Sequence, residues 1–271
     1  MPVDSAFDMM ATTYDSQFTT SVTGRAQRRM VWKWLMTILH EAERPLKILE
    51  INCGTGEDAI RLAGMGHHVI ATDASFAMIK KAREKVIQIN DPAAIPEFRH
   101  LAFDGLKHQF ETEQFDLIFS NFGGLNCIDK TALSNLANDL SVLTGRNGKL
   151  FLVLMSRYCF REILYYFIRA KFKIAFRRLR QKVNFNILSS SIPVYYYSPR
   201  LVIKIFSNSF RYKQKYPIGL FLPPSYLEEN YVNNRKKLSR LEKLENMFGY
   251  PLLAGLADHY CLLFNKTGDR V

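Results

Sequence analysis

The stretch Lys47 to Gly66, KILEINCGTGEDAIRLAGMG, constrains this chain more than any other. Lys47-Ile48-Leu49-Glu50-Ile51 reads as a short buried strand, and Glu57–Gly64 as a helix. Only Asn52, Cys53, Gly54, Thr55 and Gly56 lie between them. A strand that turns at once into a helix, with its backbone open to a ligand, needs residues without side chains. The turn therefore predicts a nucleotide-like ligand.

Strands and helices alternate from that point. The pattern predicts strands over His68–Thr72 ending at Asp73, Phe98–Phe103 ending at Asp104, Phe115–Phe119 ending near Asn121, and Lys149–Met155 after the turn GRNG. Helices are expected over Ser75–Gln88, with Ser75 as N-cap, and over Lys130–Leu143. Thr23–Glu41 reads as a helix ahead of the sheet, and Ala257–Lys266 as the last strand. Such alternation predicts an α/β, doubly wound, Rossmann-like sheet with right-handed crossovers. Three regions follow. Residues 1–155 are N-terminal helices and the ligand-binding core, 156–197 a basic, aromatic-rich lid insertion, and 198–271 the rest of the core, with a second insertion at about 221–256.

The net charge of +12 belongs to one segment. Between Ser156 and Pro217 there are fourteen Lys and Arg residues and one acid, Glu162. From Tyr165 to Val183, the residues Ile168, Phe172, Ala175, Phe176 and Leu179 fall on one stripe of a predicted amphipathic helix, with Arg169, Lys171, Lys173, Arg177 and Arg180 elsewhere. Three readings of this helix stand: a pocket lid that is basic outside, a contact with an anionic membrane surface, or an RNA face on which Tyr195-Tyr196-Tyr197 stack bases. Ser198-Pro199 opens a further helix, Phe210–Tyr216 reads as a strand, and Tyr226–Phe248 as a charged helix. The opening MPVDSAFDMMATTYDS lacks the basic and apolar regions of a secretory signal. Cys53, Cys127, Cys159 and Cys261 are scattered, with no CxxC and no metal-ligand spacing, so no metal is expected and a cytoplasmic protein is.

In an open parallel sheet the ligand lies beyond the carboxyl ends of the strands. Asp73, at the end of the strand after the glycine turn, is placed to accept from both ribose hydroxyls. Asp104 is placed to accept from an exocyclic adenine amine, with Phe103, Ala74 and Met78 to pack on the adenine faces. No Gly-Lys-Ser/Thr follows the turn, so a P-loop is absent. Glu50, Glu57 and Asp58 oppose a pyrophosphate at that helix N-terminus. An acidic loop suits a cation with an amino-acid end, and S-adenosyl-L-methionine is such a ligand.

The residues also resemble a family. LEINCGTGEDAIRLAGMGHHVIATDASFAMIKKAREK is similar to the first two motifs of the class I S-adenosylmethionine-dependent methyltransferases. LAFD and FDLIFSNFGGLN resemble their adenine-side and post-fourth-strand motifs, and FDMMATTYDSQF resembles the entry segment of a small-molecule branch that includes quinone-biosynthesis enzymes. The resemblance implies a seven-stranded sheet with the last strand antiparallel. It implies that Glu50, Asn52, Gly54 and Gly56 form the cofactor loop, that Asp73 binds ribose and Asp104 the adenine amine, that Asn121 lies near the methionine part, and that Tyr14 closes over it. Asn52 and Cys53 depart mildly from the family pattern. Arg25, Arg28 and Arg29 read as a solvated helix face, or as a source of one arginine for the cofactor carboxylate.

An antiparallel last strand starts on the edge where the fourth and fifth strands end. Asp258-His259 stands at that start, so His259 is the candidate general base, oriented by Asp258. Asn121-Phe122-Gly123-Gly124 lacks the Pro-Pro-Tyr run of enzymes that methylate exocyclic base or amide nitrogens. Lid segments rich in Phe, Tyr, Leu and Ile predict a lipophilic small acceptor, methylated through oxygen in pigment, quinone or secondary metabolism, with S-adenosyl-L-homocysteine as product. RNA methylation and non-catalytic cofactor binding stand as alternatives.

Overall fold

The computed structural model describes residues 3–187, 190–230 and 235–267. Its elements in chain order are α1 (Val3–Met10), α2 (Val22–His40), β1 (Lys47–Ile51), α3 (Glu57–Gly64), β2 (His68–Asp73), α4 (Phe76–Val86), β3 (Glu97–His100), α5 (Leu106–Gln109), β4 (Phe115–Ser120), α6 (Lys130–Leu143) and β5 (Thr144–Met155). They continue with α7 (Phe160–Ile168), α8 (Phe172–Ala175), β6 (Lys182–Ile187), β7 (Ser190–Tyr195), α9 (Pro199–Phe206), β8 (Phe210–Ile218), α10 (Arg235–Phe248) and β9 (His259–Lys266).

Seven strands form one sheet in the order β3-β2-β1-β4-β5-β9-β8. β1 pairs in parallel with β2 and β4, and β9 runs antiparallel to both β5 and β8. The order reverses at β1 and β4, which opens a crevice at their carboxyl ends. Because both faces of the sheet are covered, the inner strands are apolar almost throughout. Ile48, Leu117 and Phe119 face one core with Val31, Leu35, Leu62 and Ile79 from α2, α3 and α4. Leu49, Ile51 and Ile118 face the other with Leu106, Leu136, Leu140 and Val202 from α5, α6 and α9.

The predicted helix starts at Ser75 and Ser198 cap as expected, through the bonds Met78 N–H to Ser75 Oγ and Leu201 N–H to Ser198 Oγ. Other boundaries differ. β3 stops at His100, where its neighbour β2 ends at Asp73, and Phe103–Gly105 form a 3₁₀ turn. β5 begins at Thr144, carrying the GRNG turn as an irregularity opposite Phe115–Leu117. β9 begins at His259, because Pro251–Leu256 form a 3₁₀ turn before it. The single basic helix is not formed. Ala170 (φ 55°) and Gln181 (φ 64°) adopt left-handed backbone, which breaks the segment into α7, α8, a 3₁₀ turn at Arg177–Arg180 and the hairpin β6–β7. Tyr226–Phe248 is likewise a 3₁₀ turn at Ser225–Asn230 and then α10, residues 231–234 lying outside the described residues. Tyr196 and Tyr197 are buried, so they offer no stacking surface for bases.

Glu245 of α10 holds the chain that follows β8. Its buried carboxylate accepts from the backbone N–H groups of Leu220 (2.9 Å), Phe221 (2.8 Å) and Leu222 (3.4 Å). Glu245→Ala strips the acceptor from these donors and is expected to cost about 2–4 kcal/mol, given ~1–3 kcal/mol per buried unpaired group. Glu245→Gln keeps one carbonyl oxygen and should cost less. Urea denaturation with an unchanged m-value checks both.

Candidate functional site

The turn between β1 and α3 is built from left-handed residues: Asn52 (φ 54°), Gly54 (φ 55°) and Gly56 (φ 77°). Asparagine tolerates this region better than most residues, which accounts for Asn52. Its amide also joins two strand ends: Nδ2 donates to Asn121 O (2.8 Å), and Oδ1 accepts from Ser120 Oγ (2.6 Å). At Gly56 a Cβ would come within 2.7 Å of the Phe98 ring. At Gly54 it would lie 3.6 Å from the Tyr14 ring, so the backbone there is bare under that tyrosine.

Asp73 ends β2 beside the turn. Its Oδ2 accepts from Gly54 N–H (2.8 Å) and its Oδ1 from Ser75 N–H (2.9 Å). The N-terminal segment crosses the mouth of the turn. Asp15 accepts from Thr55 Oγ1 (2.5 Å) and pairs with Lys85 (2.8 Å). Asp8 accepts from Ser75 Oγ (2.5 Å) and from Ala77 N–H (3.0 Å). Burial first, and the nearby Asp73 and Asp15 charges after it, push the Tyr14 phenol up to about 12 against the opposing pull of Arg28.

A cavity of about 1340 Å³ opens here. Tyr14, Asn52, Gly54, Asp73, Ala74, Met78, Phe103 and Asp104 line one part of it, and Asp258 and His259 another. The remaining wall is largely apolar, with Phe7, Met10, Cys127, Ile128, Met155, Phe185, Ile192 and Val194. Glu50 and Asn121 line an adjoining recess of about 20 Å³, room for one water-sized atom group. Gly56 caps α3 behind the cavity and lines neither space.

The acids at this turn differ in their partners: Glu57 lies 3.6 Å from Lys85, and Glu50 keeps one carboxylate oxygen without a hydrogen-bond partner. Asp58 is buried and engaged: it pairs with Arg28, and it accepts from Trp32 Nε1 (2.6 Å) and Asn121 Nδ2 (2.7 Å). Arg28 is thus committed to Asp58 while it lines the cavity, and Arg29 pairs with Glu242. Glu50 is 1% exposed, and its Oε2 has no hydrogen-bond partner. Burial, reinforced by the Asp58 charge, raises its pKa well above the carboxylate range despite Arg28. A buried carboxylate oxygen without a partner fits a cationic ligand group.

Asp258 and His259 sit in a buried ion cluster that sequence reasoning missed. Arg178 donates to Asp258 Oδ1 (2.7 Å), to Asp258 O (3.1 Å) and to Glu162 Oε2 (2.7 Å). Arg177 donates to Glu162 Oε1 (2.6 Å), Tyr226 OH donates to the same carboxylate, and Gln27 donates to Asp258 Oδ2 (3.0 Å). Burial works to raise the Asp258 pKa, but the His259 and Arg178 charges override it and hold the carboxyl well below its usual range. His259 Nδ1 lies 3.2 Å from Asp258 Oδ2, outside good hydrogen-bond geometry, and its ring meets Phe122 edge-on at 5.4 Å. One signal pointed to this cluster. Glu162 is the lone acid among fourteen cations, and such a residue is more readily a partner than a solvated charge.

Residues 48–148 match a methyltransferase domain family. Demethylmenaquinone methyltransferase from Clavibacter sepedonicus is 28% identical over 127 residues, 47% of this chain and 48% of that protein. The tRNA 5-carboxymethoxyuridine methyltransferase of Escherichia coli K12 is 27% identical over 110 residues, 40% of this chain and 42% of that one. The chain thus spans about half the length of the curated relatives it matches. Magnesium protoporphyrin IX methyltransferase from Synechocystis, solved with S-adenosylhomocysteine, shares the fold at a TM-score of 0.57 and 14% identity, over 90% of this chain and 84% of that one.

Because the Glu50 pKa is raised by folding, the stability this group contributes is present at low pH. It is lost as pH climbs past the ordinary carboxylate range. In the ligand-free protein, Glu50→Gln is therefore expected to melt higher than the parent at pH 8, by at least about 2 °C, the shift that ~1 kcal/mol gives a domain of this size. The difference should close toward pH 4. Thermal melts across that range check the sign.

Proposed function

We propose that this chain, a member of the class I methyltransferase fold family, transfers a methyl group from S-adenosyl-L-methionine to a lipophilic small molecule. One observation carries the reading. The bare turn at Gly54, with Asp73 beside it, opens into the same large cavity as His259 and an apolar wall. At about 1340 Å³ the cavity exceeds the ~300–1,000 Å³ of an ordinary ligand site, so it has room for a cofactor and an acceptor together.

The residues divide the work. Asp73 takes the ribose hydroxyls and Asp104, exposed at the cavity, takes the adenine amine. Phe103, Ala74 and Met78 pack the base, and Glu50 with Asn121 meets the amino-acid end. Tyr14 covers the turn. The cofactor supplies an electrophilic methyl on a sulfonium. The chain's part is to hold the acceptor in line within ~3–3.5 Å and to exclude water, which positioning and an apolar lid both serve. His259 takes the acceptor proton, and the Asp258 carboxylate, kept ionised by Arg178, stabilises the imidazolium that results. The relative named for demethylmenaquinone agrees with an apolar acceptor. The tRNA-modifying relative favours a second reading, methylation of RNA, in which salt-sensitive tRNA binding is expected.

Titration calorimetry with S-adenosylmethionine and S-adenosylhomocysteine tests the cofactor assignment, and micromolar binding of both is expected. Asp73→Ala should weaken either by at least tenfold, ~1.4 kcal/mol, in a protein that still melts cooperatively. Unchanged affinity would contradict the role of Asp73. With an acceptor in hand, His259→Gln should lower turnover by about 10²–10³ at unchanged cofactor affinity. Full turnover in that variant would remove the base.

A further inference from the structure

We propose that the outer surface of α7 and α8, in the segment that follows β5, docks on an anionic lipid bilayer. α7 is amphipathic in the reverse sense to a core-packing helix. Its inward side carries the buried carboxylate of Glu162, held by Arg177 and Arg178. Its outward side carries Phe160, Leu164, Phe167 and Ile168, at the i, i+4, i+7, i+8 spacing of one helical stripe, and these are 51%, 39%, 52% and 72% exposed. The stripe continues on α8 with Phe172, 51% exposed, whose ring meets Phe167 at 5.2 Å. Water-facing apolar residues this dense mark a contact surface.

Charge chooses the partner. Arg169, Lys171, Lys173 and Arg180 are exposed around the stripe. The one acid between Ser156 and Pro217 is Glu162, and it is spent inside on two arginines. Within Ser156–Pro217 this surface therefore presents exposed apolar side chains and cations with no exposed acid, the composition of a helix that lies in a bilayer interface. A second copy of this chain, docked face to face, would set these cations against their own kind. RNA phosphates would engage the cations and leave the phenylalanine stripe in water. No helix among the described residues is long and apolar enough to cross a membrane, so the contact is peripheral. The docking does not depend on methyl transfer, and its test reads no activity.

Full-length protein is sedimented with phosphatidylcholine vesicles, with and without phosphatidylglycerol. We expect binding to the anionic vesicles, at least about tenfold weaker binding to the neutral ones, and weakening by added salt. Phe167→Ser with Ile168→Ser, and separately Lys171→Glu with Lys173→Glu, should each weaken anionic-vesicle binding at least about tenfold. All four side chains are exposed, so melting temperature should hold. Failure of the parent protein to sediment overturns the proposal, as does sedimentation of both variants like the parent. Size-exclusion mass and tRNA binding identify the occupant in that event. A dimer broken by the serine variant assigns the surface to a second copy, and tRNA binding lost only in the glutamate variant assigns it to RNA.

Discussion

Asp73 accepts Gly54 N–H through one carboxylate oxygen and Ser75 N–H through the other. These two bonds tie the turn after β1 to the start of α4, across the carboxyl ends of two neighbouring strands. With the turn fixed, Asn52 reaches the end of β4 and Tyr14 settles over Gly54. Asp15 and Asp8 then fasten the N-terminal segment to Thr55, Lys85 and Ser75. A backbone bare of side chains is useful only if held open, and these carboxylates hold it.

A second set of charges stands at the same cavity. Arg178 spans Glu162 of α7 and Asp258, the residue before β9. Taking three charges out of water is costly, and the cost is tolerable only where their hydrogen bonds are satisfied. The cluster is nearly satisfied: Arg177, Gln27 and Tyr226 complete it. Its effect is to join α7 to the sheet and to keep an anion beside His259. Turning Glu162 inward also turns Phe160, Leu164, Phe167 and Ile168 outward, because residues on one helix cannot all face the same way. The anchoring of α7 and its apolar outer surface therefore share a cause.

Much of the fold was legible in the chain. β1, α3 and α6 lie where hydrophobic period, glycine and capping residues put them, and the resemblance supplied the antiparallel last strand. Most of the candidate residues line one cavity: Asn52, Gly54, Asp73 and Ala74 lie at the carboxyl ends of β1 and β2, a position set by sheet topology, while Tyr14 and Met78 reach it from the N-terminal segment and α4. The errors have local causes. The stripe from Tyr165 to Val183 has a helical period, yet left-handed Ala170 and Gln181 interrupt it, and nothing in their identities announces that backbone. Asp58 counted toward an acidic loop suited to a cationic ligand, but its partners Arg28, Trp32 and Asn121 come from α2 and the end of β4.

The sequence by itself determined the alternating sheet, the glycine turn and the acids at the strand ends, since these depend on residue identity and short-range spacing. Only the tertiary structure decided which charges are free. Glu50 and Asp58 are both buried acids flanking one turn, but Asp58 is engaged by residues about thirty and sixty positions away, while a Glu50 oxygen has no partner. Arg178 and Lys173 read alike as cations of one segment, yet the first is sunk between two carboxylates and the second faces water. Burial and partner distance set the energy of a charge, and neither is local to the chain.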